Sequence, residues 1–150
     1  MMKHKEVETV PYVELGKYAG VWYEIGRYPQ RFEKGATHVT AEYVPCDGYL
    51  KVTNTCLKKG KKKTAKGKAF VVPDSGNAKL KVEFFWPFKG DYWIIELDKD
   101  YQWAVVSNRK LSSLWILYRK PHINNEILLP IVYSLMERGF NLARIIWTIQ

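Results

Sequence analysis

"GVWYEIGRYPQRFEKG", Gly20 to Gly35, decides how the rest of this chain is read. Trp22, Tyr23, Tyr28 and Phe32 stand there among Glu24, Arg27, Arg31, Glu33 and Lys34. Two readings compete. An aromatic and basic surface for nucleic acid needs the rings exposed beside the cations. The first wall of a buried cavity needs a strand whose alternation sends successive side chains to opposite sides.

The runs that follow favour the strand. "THVTAEYVP" sets His38, Thr40 and Glu42 against Val39, Ala41 and Tyr43, the period of a half-buried strand. "CDG" supplies a hairpin turn, and "YLKVTNTCL" returns with Leu50, Val52, Asn54 and Cys56 on one face. "KGKAFVVP", "KLKVEFF", "DYWIIEL", "YQWAVVS" and "SLWILYR" continue the series. Strand candidates at intervals of roughly ten to fifteen residues have the rhythm of an antiparallel sandwich or barrel. The aromatics alternate within these strands while the lysines cluster, which weakens the alternative of a basic β-barrel nucleic-acid-binding protein.

Two late strands are apolar on both faces. Trp103 and Val105 oppose Ala104 and Val106, and Leu114 and Ile116 oppose Trp115 and Leu117. Such strands need cover on both sides. The outer cover comes after Pro121, where "NNEILLPIVYSLMERGF" carries Leu128, Ile131, Val132 and Leu135 as a helical stripe. Asn124 or Asn125 caps this helix and Gly139 ends it. Pro130 conflicts with a start at Asn125 but not with one near Leu129. "ARIIWTIQ" reads as one more short strand.

Composition sets outer limits. A chain of 150 residues suits one domain, residues 1–150, with 1–12 as an N-terminal extension. The net charge of +9 favours anionic partners, or serves solubility alone. The strand register keeps Cys46 and Cys56 beyond disulfide reach. His4, His38 and His122 show no metal-ligand spacing, so neither metal nor cofactor is expected. Catalysis needs paired acids or a nucleophile beside a base, and neither is legible, so the chain reads as a non-enzyme. No apolar run is long enough for a membrane-spanning helix. "MMKHKEVETV" has a positive start without an apolar stretch behind it. The expected location is cytoplasmic for a complete chain, and periplasmic or outer-membrane associated for one that has lost a signal.

"GVWYEIGR", "RFEKG", "KLKVEFFWPFKGDYWIIELDKDY" and "LWILYRKP" together resemble the lipocalins, in the bacterial lipocalin and apolipoprotein D-like branch. The family's second signature is matched only loosely, by "LDKDYQWAVV". The resemblance runs from about Val10 to Gln150. It implies an all-β fold: an eight-stranded antiparallel up-and-down barrel, one C-terminal α-helix packed outside, and a short final strand. It also implies a cup for a small hydrophobic or anionic amphipathic ligand, such as a fatty acid or lysophospholipid, which the protein stores or transports.

Residue by residue, the resemblance places Trp22 and Arg119 at the closed base, guanidinium over indole. Ligand-wall positions are Glu24, Ala41, Tyr43, Val52, Asn54, Val71, Val82, Phe84, Tyr92, Trp115 and Leu117. Gly26, Ala69 and Ile94 are expected on the same inner side. Glu24 then needs a partner for its buried carboxylate, from Arg27, Arg31 or a wall hydroxyl. Tyr43, Tyr92 or Arg27 is expected to bond the ligand's head near the mouth. Some lipocalins are thiol-dependent isomerases, but no histidine stands on the matching strands to activate Cys56. "LKKGKKKTAKGKAF", with lysines from Lys58 to Lys68, reads as a solvated or membrane-facing hairpin turn at the closed end. The partners expected are thus the ligand and a peripheral membrane contact, without nucleic acid, in a monomer or homodimer.

Overall fold

The structure is a computed structural model that describes residues 7–84 and 89–150. His4, Phe85 at the end of the fifth strand candidate, and the "WPF" of the family resemblance lie outside the described residues. Eight strands follow one another as antiparallel neighbours: β1 (Gly20–Arg27), β2 (Thr37–Cys46), β3 (Tyr49–Lys58), β4 (Lys61–Val71), β5 (Lys79–Phe84), β6 (Lys89–Leu97), β7 (Trp103–Ser107) and β8 (Leu114–Tyr118). β1 pairs with β8 on one side and β2 on the other, so the sheet closes into a barrel without a free edge between them. A ninth strand, β9 (Ile146–Trp147), adds to the mouth half of β1.

Alternation sorts the strands into two cores. Inside the barrel lie Trp22, Tyr43, Val52, Leu80, Val82, Ile94 and Val106. Outside lie Ile25, Ile95, Val105, Leu114 and Ile116, under Ile131 and Leu135 of α2 (Asn125–Glu137). β7 and β8 therefore feed both cores, which is why their sequences are apolar on both faces. Asn124 caps α2 by accepting from the Ile127 amide at 3.1 Å. The helix starts at Asn125 and keeps Pro130 inside it, with the ring on the exposed face. Glu96 of β6 anchors its far end, accepting from Ser134 Oγ at 2.8 Å and Arg138 Nε at 2.9 Å. Near the N-terminus, Val10 and Val13 donate backbone bonds to Ile94 and Gly76, so this segment lies against the barrel.

The strand directions fix the two ends. β1 rises from the base, where Gly20 pairs with Tyr43, to the open end at Arg27. β2 descends, the Asp47–Gly48 turn lies at the base, and β3 rises again. The lysine hairpin between β3 and β4 therefore lies at the open end, not the closed end expected from sequence, because β3, like β1, runs from base to mouth. Lys58 Nζ donates to the Phe32 carbonyl, in the loop that crosses the mouth. Nor is the lysine run a long turn. The turn is Lys59–Gly60 alone, with φ of 51° and 75°, and β4 already begins at Lys61. Two residues with positive φ match the right-handed twist of the flanking strands, which composition alone does not reveal.

Candidate functional site

The barrel floor is made by α1 (Leu15–Tyr18), β1 and the chain just beyond β8. The Arg119 guanidinium lies 3.6 Å from the Trp22 ring centroid. It donates to the carbonyls of Lys17, Tyr18, Ala19, Val21 and Tyr101 at 2.8–3.3 Å. Burial lowers its pKa from the usual arginine value. Trp22 Nε1 in turn donates to the Tyr18 carbonyl at 2.8 Å. One cation thus ties α1 and the turn before β7 to the start of β1, where a flat, five-donor group fits and an ammonium does not.

Above this floor stand three tyrosines. Tyr18 and Tyr92 share a hydroxyl–hydroxyl bond of 2.5 Å, and Tyr43 packs against both rings. Burial raises the pKa of all three phenols, so they remain neutral hydrogen-bonding groups. Tyr43 and Tyr92 were expected to bond a ligand head near the mouth. They instead belong to the lower cavity, because Tyr43 pairs with Gly20 at the start of β1 and Tyr92 reaches Tyr18 of α1.

A cavity opens above them. Of the residues expected on its wall, Glu24, Ala41, Tyr43, Val52, Asn54, Val82, Phe84, Tyr92, Trp115 and Leu117 line it. Val71 does not: it packs lower, against the inner cluster, as do Ala69 and Ile94. Phe32, Glu33 and Asp91 also line the cavity and were not foreseen. Gly26 faces outward, where a Cβ would meet Trp147 and Ile145 at 3.0–3.1 Å. A bulge between Glu24 and Gly26 shifts the alternation there and turns Arg27 in beside Glu24. The cavity has a volume of about 70 Å³. It is a narrow slot.

The upper wall carries an ionic cluster. Arg27 Nη1 donates to Glu24 Oε2 at 2.9 Å, and Arg27 Nε lies 3.4 Å from Glu33 Oε2. Thr148 Oγ1 donates to Glu24 Oε2 at 2.6 Å, and Trp115 Nε1 donates to Glu33 Oε1 at 2.9 Å. Glu24 and Arg27 are each 3% exposed. Burial, then the neighbouring Glu33, pushes the Glu24 carboxyl up to about 9. Two carboxylates facing one guanidinium in an apolar wall would leave a net negative charge, so one proton held between them makes the cluster neutral. This answers the question of Glu24's partner: Arg27 and Thr148 serve, and Arg31 does not.

Sequence reasoning missed Glu33 and Tyr18. Glu33 sits in a charged loop, and its bond to Trp115 spans 82 residues. Tyr18 lies in a four-residue helix too short to show a period.

The family description "Lipocalin-like domain" matches residues 13–150. The outer membrane lipoprotein Blc of Vibrio cholerae is 41% identical over 150 residues, spanning 97% of this chain and 88% of its own. The protein of the same name from Escherichia coli K12 is 37% identical, over 96% of this chain and 83% of its own. Among solved structures, insecticyanin from the tobacco hornworm Manduca sexta superposes with a TM-score of 0.78 at 20% identity, over 97% of this chain and 85% of its own. Closed barrel, outer helix, floor and sequence agree: the chain belongs to the lipocalin family.

Proposed function

We propose that this lipocalin binds and carries a single-chain anionic amphiphile, a fatty acid or lysophospholipid, with its tail in the barrel and its head toward the mouth. The observation that carries the reading is the shape and lining of the cavity: narrow, apolar through Val52, Val82, Phe84 and Leu117, and open at one end. Its volume of about 70 Å³ is below the about 300–1,000 Å³ of ordinary ligand pockets, so the walls must part to admit a chain. A flexible methylene chain fits a slot that a rigid ring system does not. Each methylene moved from water into it contributes about 0.8 kcal/mol. The chemistry is sequestration, not catalysis.

The polar groups divide by height. Low in the cavity the tyrosine hydroxyls bond one another and offer little to a tail. Higher up, the Glu24–Arg27–Glu33 cluster sits where an acyl chain would end, and Asn54 of β3 also lines the cavity. The Blc relatives are named outer membrane lipoproteins. By likeness to them this chain would work at a bacterial cell envelope, loading and unloading at a membrane.

Trp fluorescence tests the reading, because Trp115 lines the cavity and Trp22 lies at its floor. Titration with a long-chain fatty acid or lysophospholipid should give a saturable change at micromolar concentration. A flat response across chain lengths and head groups would end it.

A further inference from the structure

The net charge is not spread over the surface. The connection from β1 to β2 carries Arg31 and Lys34. The β3–β4 hairpin carries Lys58, Lys59, Lys61, Lys62 and Lys63, and the β7–β8 connection carries Arg109 and Lys110. Beside the β5–β6 strand ends, where Lys81 and Lys89 offset Glu83 and Asp91 in charge, all three connections lie at the open end. Among the described residues Glu33 is their only carboxylate, and it is buried beside Arg27. No carboxylate pairs with Lys59, Lys61, Lys62 or Lys63 among the described residues. The closed end differs. There Glu14, Asp47, Asp74, Asp98 and Asp100 balance Lys17, Lys99, Arg119 and Lys120. The molecule is therefore an electrostatic dipole with its cations around the mouth.

Apolar side chains flank the same rim. Ile146, Trp147 and Ile149 are 42%, 47% and 66% exposed. With Arg31, Lys34 and Ala36 they border an open groove of about 520 Å³ beside the mouth loop. A nucleic acid or other soluble polyanion would satisfy the cations and leave these side chains in water. An anionic bilayer satisfies both, since cations meet head groups while Trp and Ile enter the interface.

We propose that the protein docks mouth-first on an anionic lipid surface, through the lysine hairpin and the basic mouth loops, with Trp147 and Ile149 entering the head-group layer. The proposal deepens the carrier reading, on which its purpose rests, by placing the cavity opening against the membrane where ligand is exchanged. The geometry also sets a direction: the dipole turns the mouth toward the surface before contact.

Co-sedimentation of the full chain with phosphatidylcholine vesicles, with and without phosphatidylglycerol, tests it. Wild-type protein should bind the anionic vesicles alone, and less at high salt. Lys59→Glu/Lys62→Glu should weaken binding by about tenfold or more. Lys99→Glu/Lys120→Glu, the same charge change at the closed end, should leave it nearly unaltered. A blue shift of Trp emission on vesicles should shrink in Trp147→Ser. Equal losses in the two charge variants, or equal binding to neutral vesicles, would overturn the proposal. So would a single-stranded oligonucleotide that displaces the protein from vesicles at equal charge concentration. Fatty-acid titration of the same variants without vesicles separates the two readings: a cavity that takes no ligand sinks the carrier reading, whereas docking is decided by the vesicles alone.

Discussion

Thr148 donates its hydroxyl to Glu24 Oε2 over 2.6 Å, from a segment on the outside of the barrel to a carboxyl that faces its inside. The contact is possible because β1 and β2 pair from Gly20–Tyr43 only as far as Tyr23–Thr40 and then part toward the mouth. The C-terminal segment fills the gap. The His38 amide donates to the Ile149 carbonyl at 2.6 Å, and Gln150 Nε2 donates to the Glu24 and Val39 carbonyls, each at 2.8 Å. Thr148→Val keeps the shape and removes the hydroxyl. It should lower stability by about 1–2 kcal/mol, while Thr148→Ser should cost less. Urea unfolding midpoints at unchanged slope would check this.

The ionic cluster predicts a pH dependence. Glu24 has its folded pKa raised to about 9 from the ordinary 4.5. The folded state therefore keeps a proton that the unfolded chain releases. The stability tied to this proton is fully present below about pH 4.5 and is lost as pH rises toward about 9, by at most about 1.4 kcal/mol per pH unit. Glu24→Gln mimics the protonated form and can still donate to Glu33. It should flatten the fall between neutral and alkaline pH. Denaturant midpoints of both proteins across that interval provide the measurement, and parallel curves would show that Glu24 holds no extra proton.

Much of this architecture is legible in the sequence because the strands carry two-residue periods. β7 and β8 show more: apolar on both sides, they announce a covered outer face before the helix is reached. What periodicity does not carry is phase across an irregularity. The bulge in β1 reverses Gly26 and brings in Arg27, and no residue type marks it. Composition misleads in β4, where lysines that look like a solvated turn form a long strand. Val71 was misplaced for a different reason. It does face the inner side, but alternation says nothing of height along the barrel, and the cavity ends above it.

Arg119→Lys should destabilise by about 2–4 kcal/mol. An ammonium reaches fewer of the five carbonyls, and it loses the flat contact with Trp22. Part of the guanidinium meets solvent, which keeps the figure below the sum of its bonds. Thermal unfolding followed by near-UV circular dichroism reports both stability and Trp22 packing. Retention of the wild-type midpoint would mean that the floor does not depend on the fork.

Ala41→Phe separates cavity from core. Ala41 of β2 lies across from Trp22 of β1 and from Asn54 of β3, with its methyl group on the cavity wall. A phenyl ring there enters space that is now unfilled, so it should cost less than about 1–3 kcal/mol, the usual range for overpacking a filled core. The same ring blocks the slot above the tyrosines. Affinity for a long-chain fatty acid should fall at least about tenfold, equal to about 1.4 kcal/mol. Val44→Phe, on the exposed side of the same strand, should leave affinity unaltered. If both variants bind as tightly as wild type, the ligand does not occupy the barrel, and the apolar groove beside the mouth becomes the site to examine.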